Sequence, residues 1–426
     1  MTKIHLEVYG CSANVSDSEI ATGLLRKAGF KIVKNLEEAD LNIIFTCIVK
    51  TPTANRMIYR IKKLTETGKP LIVAGCMPET EREVIEKINP KASLVGVNSV
   101  EKIVDVAKEV LDGKKIVLIR SKPKQKVLLP KVRKNSLIDI IQVAQGCLGA
   151  CSFCETRFAR GRLFSYNQEA IIKEIKKALV EGCKEIWLTS QDNSAYGLDS
   201  NTNIVELLNK IISIKGEFFV RIGMMNPLHL KRLDLGKLIE IFKDSKIFKF
   251  LHLPVQSGSD KVLCDMNRGY TSSDFLNIVS EFRKEIPKLT LATDIIVGFP
   301  TESDEDFKET IKLIKSVKPD VVNISRYSQR PGTPAANLKQ IDPIIIKKRS
   351  TLISEITRKI SLERNKKWIN WEGYVLVDEK TDNFVGRNQF YKSIVITSNE
   401  NLFGKVVKVK ITGVRPSCLL GKLIKK

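Results

Sequence analysis

Histidine is scarce in this chain: three in 426 residues, His5, His229 and His252, scattered along it. That scarcity argues against a metal centre built on imidazole and leaves the three for packing or hydrogen bonding. Long apolar runs are missing too. None reaches the roughly eighteen residues that a spanning helix requires, so the sequence gives a membrane no purchase. The start, Met1-Thr-Lys-Ile-His-Leu6, runs straight into a strand-like pattern without a leader, and the end, Gly421 to Lys426, carries no apolar tail. Acidic residues are in deficit, 48 against 71 lysines and arginines, for a formal charge of +23. An excess of that size points to anionic partners, nucleic acid first, because phosphate neutralisation dominates such binding. A surface that is simply lysine-rich would look the same in composition. A disulfide framework is also lacking, since nine cysteines is an odd number and their placement shows no paired pattern. With no leader, this implies a cytoplasmic, reducing setting in which thiolates remain available to metals.

The cysteines themselves fall into two sets of three. Cys147, Cys151 and Cys154 stand as C-x-x-x-C-x-x-C inside Gln145-Gly-Cys-Leu-Gly-Ala-Cys-Ser-Phe-Cys-Glu155. Zinc knuckles usually pair cysteines two residues apart and need a fourth ligand nearby. The wider first interval suits a loop wrapped around one corner of an iron–sulfur cube. Three thiolates on a four-iron cluster leave one iron without a protein ligand, and an open metal position is where chemistry happens. Phe153, just before the last cysteine, is placed to lie flat against a purine. Cysteines that merely fill space would not gather at loop spacing beside two glycines.

Cys11, Cys47 and Cys76 are far apart in sequence but share one slot, each following a strand-like run, 4–8, 41–45 and 70–74. In an open parallel sheet the loops beyond the strand ends converge on one crevice, so three thiols can meet there without a local motif. Helices after each would aim their N-termini at an anionic cluster. Gly10 and Gly75, each preceding its cysteine, permit close backbone approach. Cys183, Cys264 and Cys418 lack such company and read as small buried hydrophobes.

The order of patterns gives the organisation. Apolar runs at 4–8, 41–45, 70–74 and 92–95 alternate with helical periodicity at 17–27, 53–66, 79–88 and 100–111, which argues for a doubly wound parallel α/β domain over 1–112. Residues 113–135 contain no acid, and Lys114, Lys115, Arg120, Lys122, Lys124, Lys126, Lys131, Arg133 and Lys134 crowd a stretch broken by Pro123 and Pro130. It reads as a basic linker, either a solvated tether or a strip that touches phosphates. From 136 to 366, strand-like runs at 140–143, 185–189, 218–222, 248–254, 290–297 and 321–325 alternate with helical patterns at 168–180, 204–214, 273–285 and 305–317. Six βα units argue for a partial (β/α)6 barrel with its site at the C-terminal strand ends, where the Cys147 loop falls. A long helical pattern from 343 to about 368 leads to 367–426, where 374–377, 390–397, 406–412 and 419–424 alternate apolar and polar residues. That is a small all-β barrel. Its Lys380, Arg387, Lys392, Lys405, Lys408, Lys410 and Arg415 suit nucleic acid, with a dimerisation barrel as the plainer reading.

Over nearly its whole length the chain resembles the methylthiotransferase family. The resemblance rests on Gly10-Cys-Ser-Ala-Asn-Val-Ser-Asp-Ser-Glu19, the Cys147 loop, Ala159-Arg-Gly161, His252-Leu-Pro-Val-Gln-Ser-Gly258, Asp294-Ile-Ile-Val-Gly-Phe-Pro300 and Arg330-Pro-Gly-Thr-Pro-Ala335. It implies an N-terminal domain with an auxiliary 4Fe-4S cluster on Cys11, Cys47 and Cys76. It further implies a radical S-adenosylmethionine (SAM) core with a second 4Fe-4S cluster on Cys147, Cys151 and Cys154, and a C-terminal TRAM barrel. Phe153, Gln191, Asp192, Gln256, Ser257 and Gly258 are the SAM contacts expected by position. The implied reaction adds a methylthio group to an unactivated carbon, at the expense of SAM. An electron donor, ferredoxin- or flavodoxin-like, and a sulfur source are required, and neither is legible. Within the family, the stretches Glu155-Thr-Arg-Phe-Ala-Arg-Gly-Arg-Leu163 and Thr189-Ser-Gln-Asp-Asn-Ser-Ala-Tyr-Gly197 resemble the archaeal and eukaryotic branch acting on threonylcarbamoyladenosine in tRNA. The alternatives are isopentenyladenosine in tRNA and an aspartate of a ribosomal protein. A cluster-containing RNA-binding protein without catalysis is a third, and the intact Cys147 trio argues against it.

Overall fold

The computed structural model describes residues 1–49 and 51–424; Lys425 and Lys426, at the end of the segment assigned to the C-terminal barrel, and Lys50 lie outside the described residues. The chain divides into two compact units. The first comprises Met1–Lys177, Thr189–Gln191 and Ser328–Ala336, and the second Ala178–Leu188, Asp192–Tyr327 and Asn337–Lys426.

The first unit is organised by a six-stranded sheet. Its strands are β1 (Lys3–Val8), β2 (Lys31–Val33), β3 (Leu41–Thr46), β4 (Leu71–Gly75), β5 (Ser93–Gly96) and β6 (Val117–Leu118). They lie in the order β2-β1-β3-β4-β5-β6, and each neighbouring pair is parallel. Parallel strands buried on both faces need continuous apolar runs, and Leu41-Asn-Ile-Ile-Phe-Thr46 and Leu71-Ile-Val-Ala-Gly75 are buried throughout. Their side chains alternate between two cores. Ile43, Phe45, Ile72 and Ala74 pack with Ile20, Leu25 and Val106 on one face, while Ile44, Leu71 and Val73 pack with Met57, Ile61 and Ile85 on the other. The two outer strands β2 and β6 have three and two residues, too short to announce themselves by alternation.

The basic segment 113–135, which supplies β6, is neither a solvated tether nor a phosphate-facing strip along its length. Lys126 is buried with its Nζ 2.6 Å from Asp17, and Lys131 is buried between Asp139 at 2.9 Å and Glu174 at 3.1 Å. Arg133 meets Asp139 at 3.0 Å. A buried ammonium must be paired, and partners distant in sequence supply the acids that the segment itself lacks.

The second unit holds parallel strands in two groups: Glu185–Thr189 with Phe219–Ile222, and Phe250–His252, Thr290–Val297 and Val321–Arg326 in that order. Helices between them include Ile204–Ile212, Ser272–Glu285 and Asp304–Val317, the last two opened by capping boxes at Thr271 and Ser303. The first strand of the series, Ile138–Gln142, lies in the first unit. After the helix Pro343–Lys366, five strands close into a barrel: Glu372–Lys380, Phe384–Arg387, Ser393–Ile396, Leu419–Leu423 and Val406–Val414. Trp368, Val375, Ile394, Val409 and Leu419 fill its interior. Among the described residues, no helix is long and apolar enough to cross a membrane.

Candidate functional site

The sheet order reverses between β1 and β3, and in such sheets ligands bind beyond the strand ends at the reversal. Cys11 and Cys47 follow those two strands and Cys76 follows β4. Cys11 caps the helix Ser12–Lys27 and Cys76 the short helix Met77–Thr80. The expectation of a helix directly after each cysteine fails at Cys47, whose next helix begins only at Thr51. Gly10 has φ +108°, and a Cβ there would lie 2.6 Å from Cys47 Cβ and 2.9 Å from its Sγ. Glycine is therefore what lets the Cys11 and Cys47 loops touch. Asn14 ties them together, donating from Nδ2 to Tyr9 O at 2.5 Å and Thr46 O at 3.2 Å. Cys47 and Cys76 are buried and Cys11 is exposed. Burial pushes the Cys76 thiol up to about 12, with Cys11 and Cys47 adding to the rise and Arg160 opposing it.

Arg160 is the residue that sequence reasoning passed over. It is fully buried at the end of the helix Thr156–Arg160, reaching Asp17 Oδ2 at 3.3 Å, Gln142 Oε1 at 3.5 Å and the Cys76 thiol. Asp17 also accepts from Lys126 at 2.6 Å and from Gln142 Nε2 at 2.8 Å. The available signal was that both residues sit inside the stretches carrying the family resemblance.

The second trio lies in a loop pinned at both ends. Gly146 has φ +76°, and a Cβ there would strike Arg162 O at 1.9 Å. Its N–H donates to Gln191 Oε1 at 2.7 Å, and Cys147 N–H donates to Gly161 O at 3.1 Å. A Cβ on Gly149 would sit 3.2 Å from Cys147 Sγ and 3.7 Å from Cys151 Sγ, so glycine keeps the space beside both sulfurs open. Cys154 N–H donates to Cys151 O at 3.1 Å, closing the turn. Burial first, then Cys151, raises the Cys154 thiol.

Each trio is all sulfur, without imidazole or carboxylate. Among the described residues no three His, Cys, Asp or Glu side chains close on a single ion. Soft thiolate sets with glycine-cleared flanks fit iron–sulfur clusters.

The expected SAM contacts divide. Phe153 is half-buried in the loop, and Gln191 is tied to Gly146 as above. Gln256 is half-buried at φ +73°, held through its backbone to Asp294 O and Ile296 N. Asp192 is buried and organises its own loop, accepting from Ser194 N, Ser194 Oγ and Asn226 N and meeting His229 Nδ1 at 2.6 Å. Ser257 and Gly258 pack on the helix Asp304–Val317, where a Cβ on Gly258 would strike Thr310 Cα at 2.5 Å. The polar groups of these three also make hydrogen bonds within the unit. Cys183 is buried as expected, but Cys264 is exposed and Cys418 only part-buried. For Cys264 the helical spacing on Asp260–Asp265 turns Val262 and Leu263 inward instead.

Residues 141–314 match the model of the Radical SAM superfamily, and residues 3–96 that of Uncharacterized protein family UPF0004. Among solved structures, the chain is similar to the radical S-adenosylmethionine methyltransferase TsrM from Kitasatospora setae with cobalamin and a [4Fe-4S] cluster bound. The TM-score is 0.58 at 13% identity, over 79% of this chain and 77% of that one. The fold is that of the radical SAM enzymes. The chain is also 42% identical, over 96% of its length and 97% of the relative's, to the probable threonylcarbamoyladenosine tRNA methylthiotransferase of Pyrococcus abyssi. It is 37% identical, over 96% of its length and 72% of the relative's, to the threonylcarbamoyladenosine tRNA methylthiotransferase of Homo sapiens. The chain belongs to the threonylcarbamoyladenosine tRNA methylthiotransferase family.

Proposed function

We propose that the protein converts N6-threonylcarbamoyladenosine at tRNA position 37 to its 2-methylthio derivative by radical SAM chemistry. The observation that carries this reading is that both all-sulfur trios belong to one unit and each is flanked by a glycine, Gly10 or Gly149, whose added Cβ would approach its cysteines. Cys147, Cys151 and Cys154 would hold one 4Fe-4S cluster, and Cys11, Cys47 and Cys76 the other. When bound, these clusters with SAM supply the reducing electron for SAM cleavage and the site from which sulfur is delivered. The chain's own part is to shape the surroundings. Gly146 and Gln191 fix the loop. Phe153, Gln191, Asp192, Gln256, Ser257 and Gly258 would be the SAM contacts. Arg160 places a fixed positive charge beside the buried Cys76 sulfur, which offsets the desolvation of an anionic group there.

The partner is tRNA, met in part by the exposed cations of the C-terminal barrel, Lys405, Lys408 and Lys410. An electron donor of the ferredoxin or flavodoxin kind, a separate sulfur source and a cytoplasmic setting complete the reading. The relatives' names and the basic barrel favour it over isopentenyladenosine or a ribosomal-protein aspartate. Deleting the gene should remove the 2-methylthio derivative from host tRNA and leave threonylcarbamoyladenosine in its place, read by mass spectrometry of digested nucleosides. Unchanged amounts of the methylthio nucleoside would refute it.

A further inference from the structure

The second unit contains a cavity of about 490 Å³ that the reaction above does not use. Phe250, Thr290 and Val321, each the first residue of its strand, line it. It therefore opens at the N-terminal strand ends, whereas barrels of this kind do their chemistry at the C-terminal ends. The C-terminal barrel supplies the facing wall with Arg387, Tyr391, Lys392 and Ser393.

Its charge is one-sided. Arg221, Arg358, Arg387 and Lys392 line the cavity against a single carboxylate, Asp320. That carboxylate is already engaged by Arg364 at 3.1 Å and Lys392 at 2.7 Å. Arg221 Nε is buried without a hydrogen-bond partner. Arg387 Nε is likewise without a hydrogen bond, its nearest carboxylate oxygen being 3.8 Å away on Asp378. Thr290 Oγ1 is a third buried atom with no partner. Unsatisfied guanidinium donors at a cavity wall are costly unless an acceptor arrives.

The cavity also has flat apolar faces. Tyr391 is held at φ +59°, a conformation that a bulky side chain adopts at a cost, by its N–H donating to Asn388 O at 2.8 Å. Arg387 lies 5.0 Å and Arg221 5.6 Å from its ring centroid, and Arg221 also covers Phe250 at 5.4 Å and Trp187 at 5.1 Å.

We propose that this cavity is a nucleotide-binding site, separate from the face where the tRNA base is modified. Guanidinium forks match phosphate oxygens, aromatic faces stack on bases, and the volume falls within the range of about 300–1,000 Å³ for small-molecule sites. The same chemistry is offered by a free mononucleotide and by a nucleotide of an RNA strand.

The test uses the purified full chain with AMP, adenosine and a short fluorescent oligoadenylate. The variants are Arg387→Gln and Arg358→Glu, with Lys359→Glu, exposed on the same helix outside the cavity, as the control. Saturable AMP binding is expected, read by calorimetry and by Trp187 fluorescence, with adenosine weaker. Loss of the guanidinium–phosphate bond should weaken AMP by about tenfold in each cavity variant and not in the control. If AMP does not bind but the oligonucleotide shows that same variant-specific loss, the occupant is a strand nucleotide and the site stands. Should Arg387→Gln fail to fold, the surface change Arg358→Glu decides alone. Equal binding by parent and variants, or no binding of either ligand, overturns the proposal.

Discussion

Asp17 carries two buried cations at once, the Lys126 ammonium and the Arg160 guanidinium, from inside a helix that begins at the Cys11 loop. Removing one member of a buried ionic group leaves the others charged and unpaired, which costs about 3–5 kcal/mol. Asp17→Ala should therefore destabilise the metal-free chain by that amount in urea denaturation, whereas a change at exposed Lys114, paired only with Glu109, should move it by less than about 1 kcal/mol. Equal effects of the two changes would show that the network contributes nothing. The pairing itself was not legible in the sequence, although Asp17 and Arg160 lie inside the stretches that carry the family resemblance. Cysteine announces itself because its chemistry is narrow and its spacing tells, so both trios stood out. Asp17, Gln142 and Arg160 are ordinary polar residues whose importance comes from meeting across long stretches of chain, and a local pattern cannot report that.

At the scale of elements the turns decide more than the strands. Gly10→Ala would place a methyl group 2.6 Å from Cys47 Cβ on a backbone at φ +108°, so the Cys11 and Cys47 loops could not stay in contact. Iron bound after anaerobic reconstitution should fall by about half, with SAM cleavage retained, since only one of two clusters loses its cradle. Iron counting and 5′-deoxyadenosine yield check this together; full iron would contradict it. Strands Glu185–Thr189 and Thr290–Val297 were readable end to end because they are long, apolar and bounded by turn residues. The run 248–254 shrinks to Phe250–His252, as Pro254 removes a donor and the chain bends toward Gln256. The single helix expected over 79–88 breaks at Glu81, at φ −121°, ψ 36°. Glu79 turns inward there to accept from Arg120 N at 2.7 Å. Periodicity sees the amphipathic stripe and misses that tertiary pull.

For the whole molecule, the formal charge of +23 counts residues that meet no partner outside the protein. Lys126, Lys131, Arg160 and Lys392 are buried against internal carboxylates, which corrects the expectation that Lys392 faces phosphate. The exposed Lys408 remains available, and Lys410 is shared with Glu372 at 3.3 Å. Lys408→Glu should weaken tRNA binding and make the slope of log affinity against log salt shallower by about one, whereas Lys392→Gln should leave the slope unchanged. Filter binding across a salt series separates them; a flattened slope for Lys392→Gln would put that side chain on the RNA after all.

The uneven exposure of the first trio sets how this protein weathers air. Cys11 is exposed while Cys47 and Cys76 are buried, and Cys264 is also exposed but far from either trio in sequence. Iodoacetamide should label Cys11 and Cys264 first on the bare chain, and filling with iron should shield Cys11 alone. The ratio of the two adducts, read by peptide mass spectrometry, thus gauges how much of any preparation carries its inorganic cargo, with an internal standard encoded in the same polypeptide. Protection of both sites together, or of neither, would break the gauge.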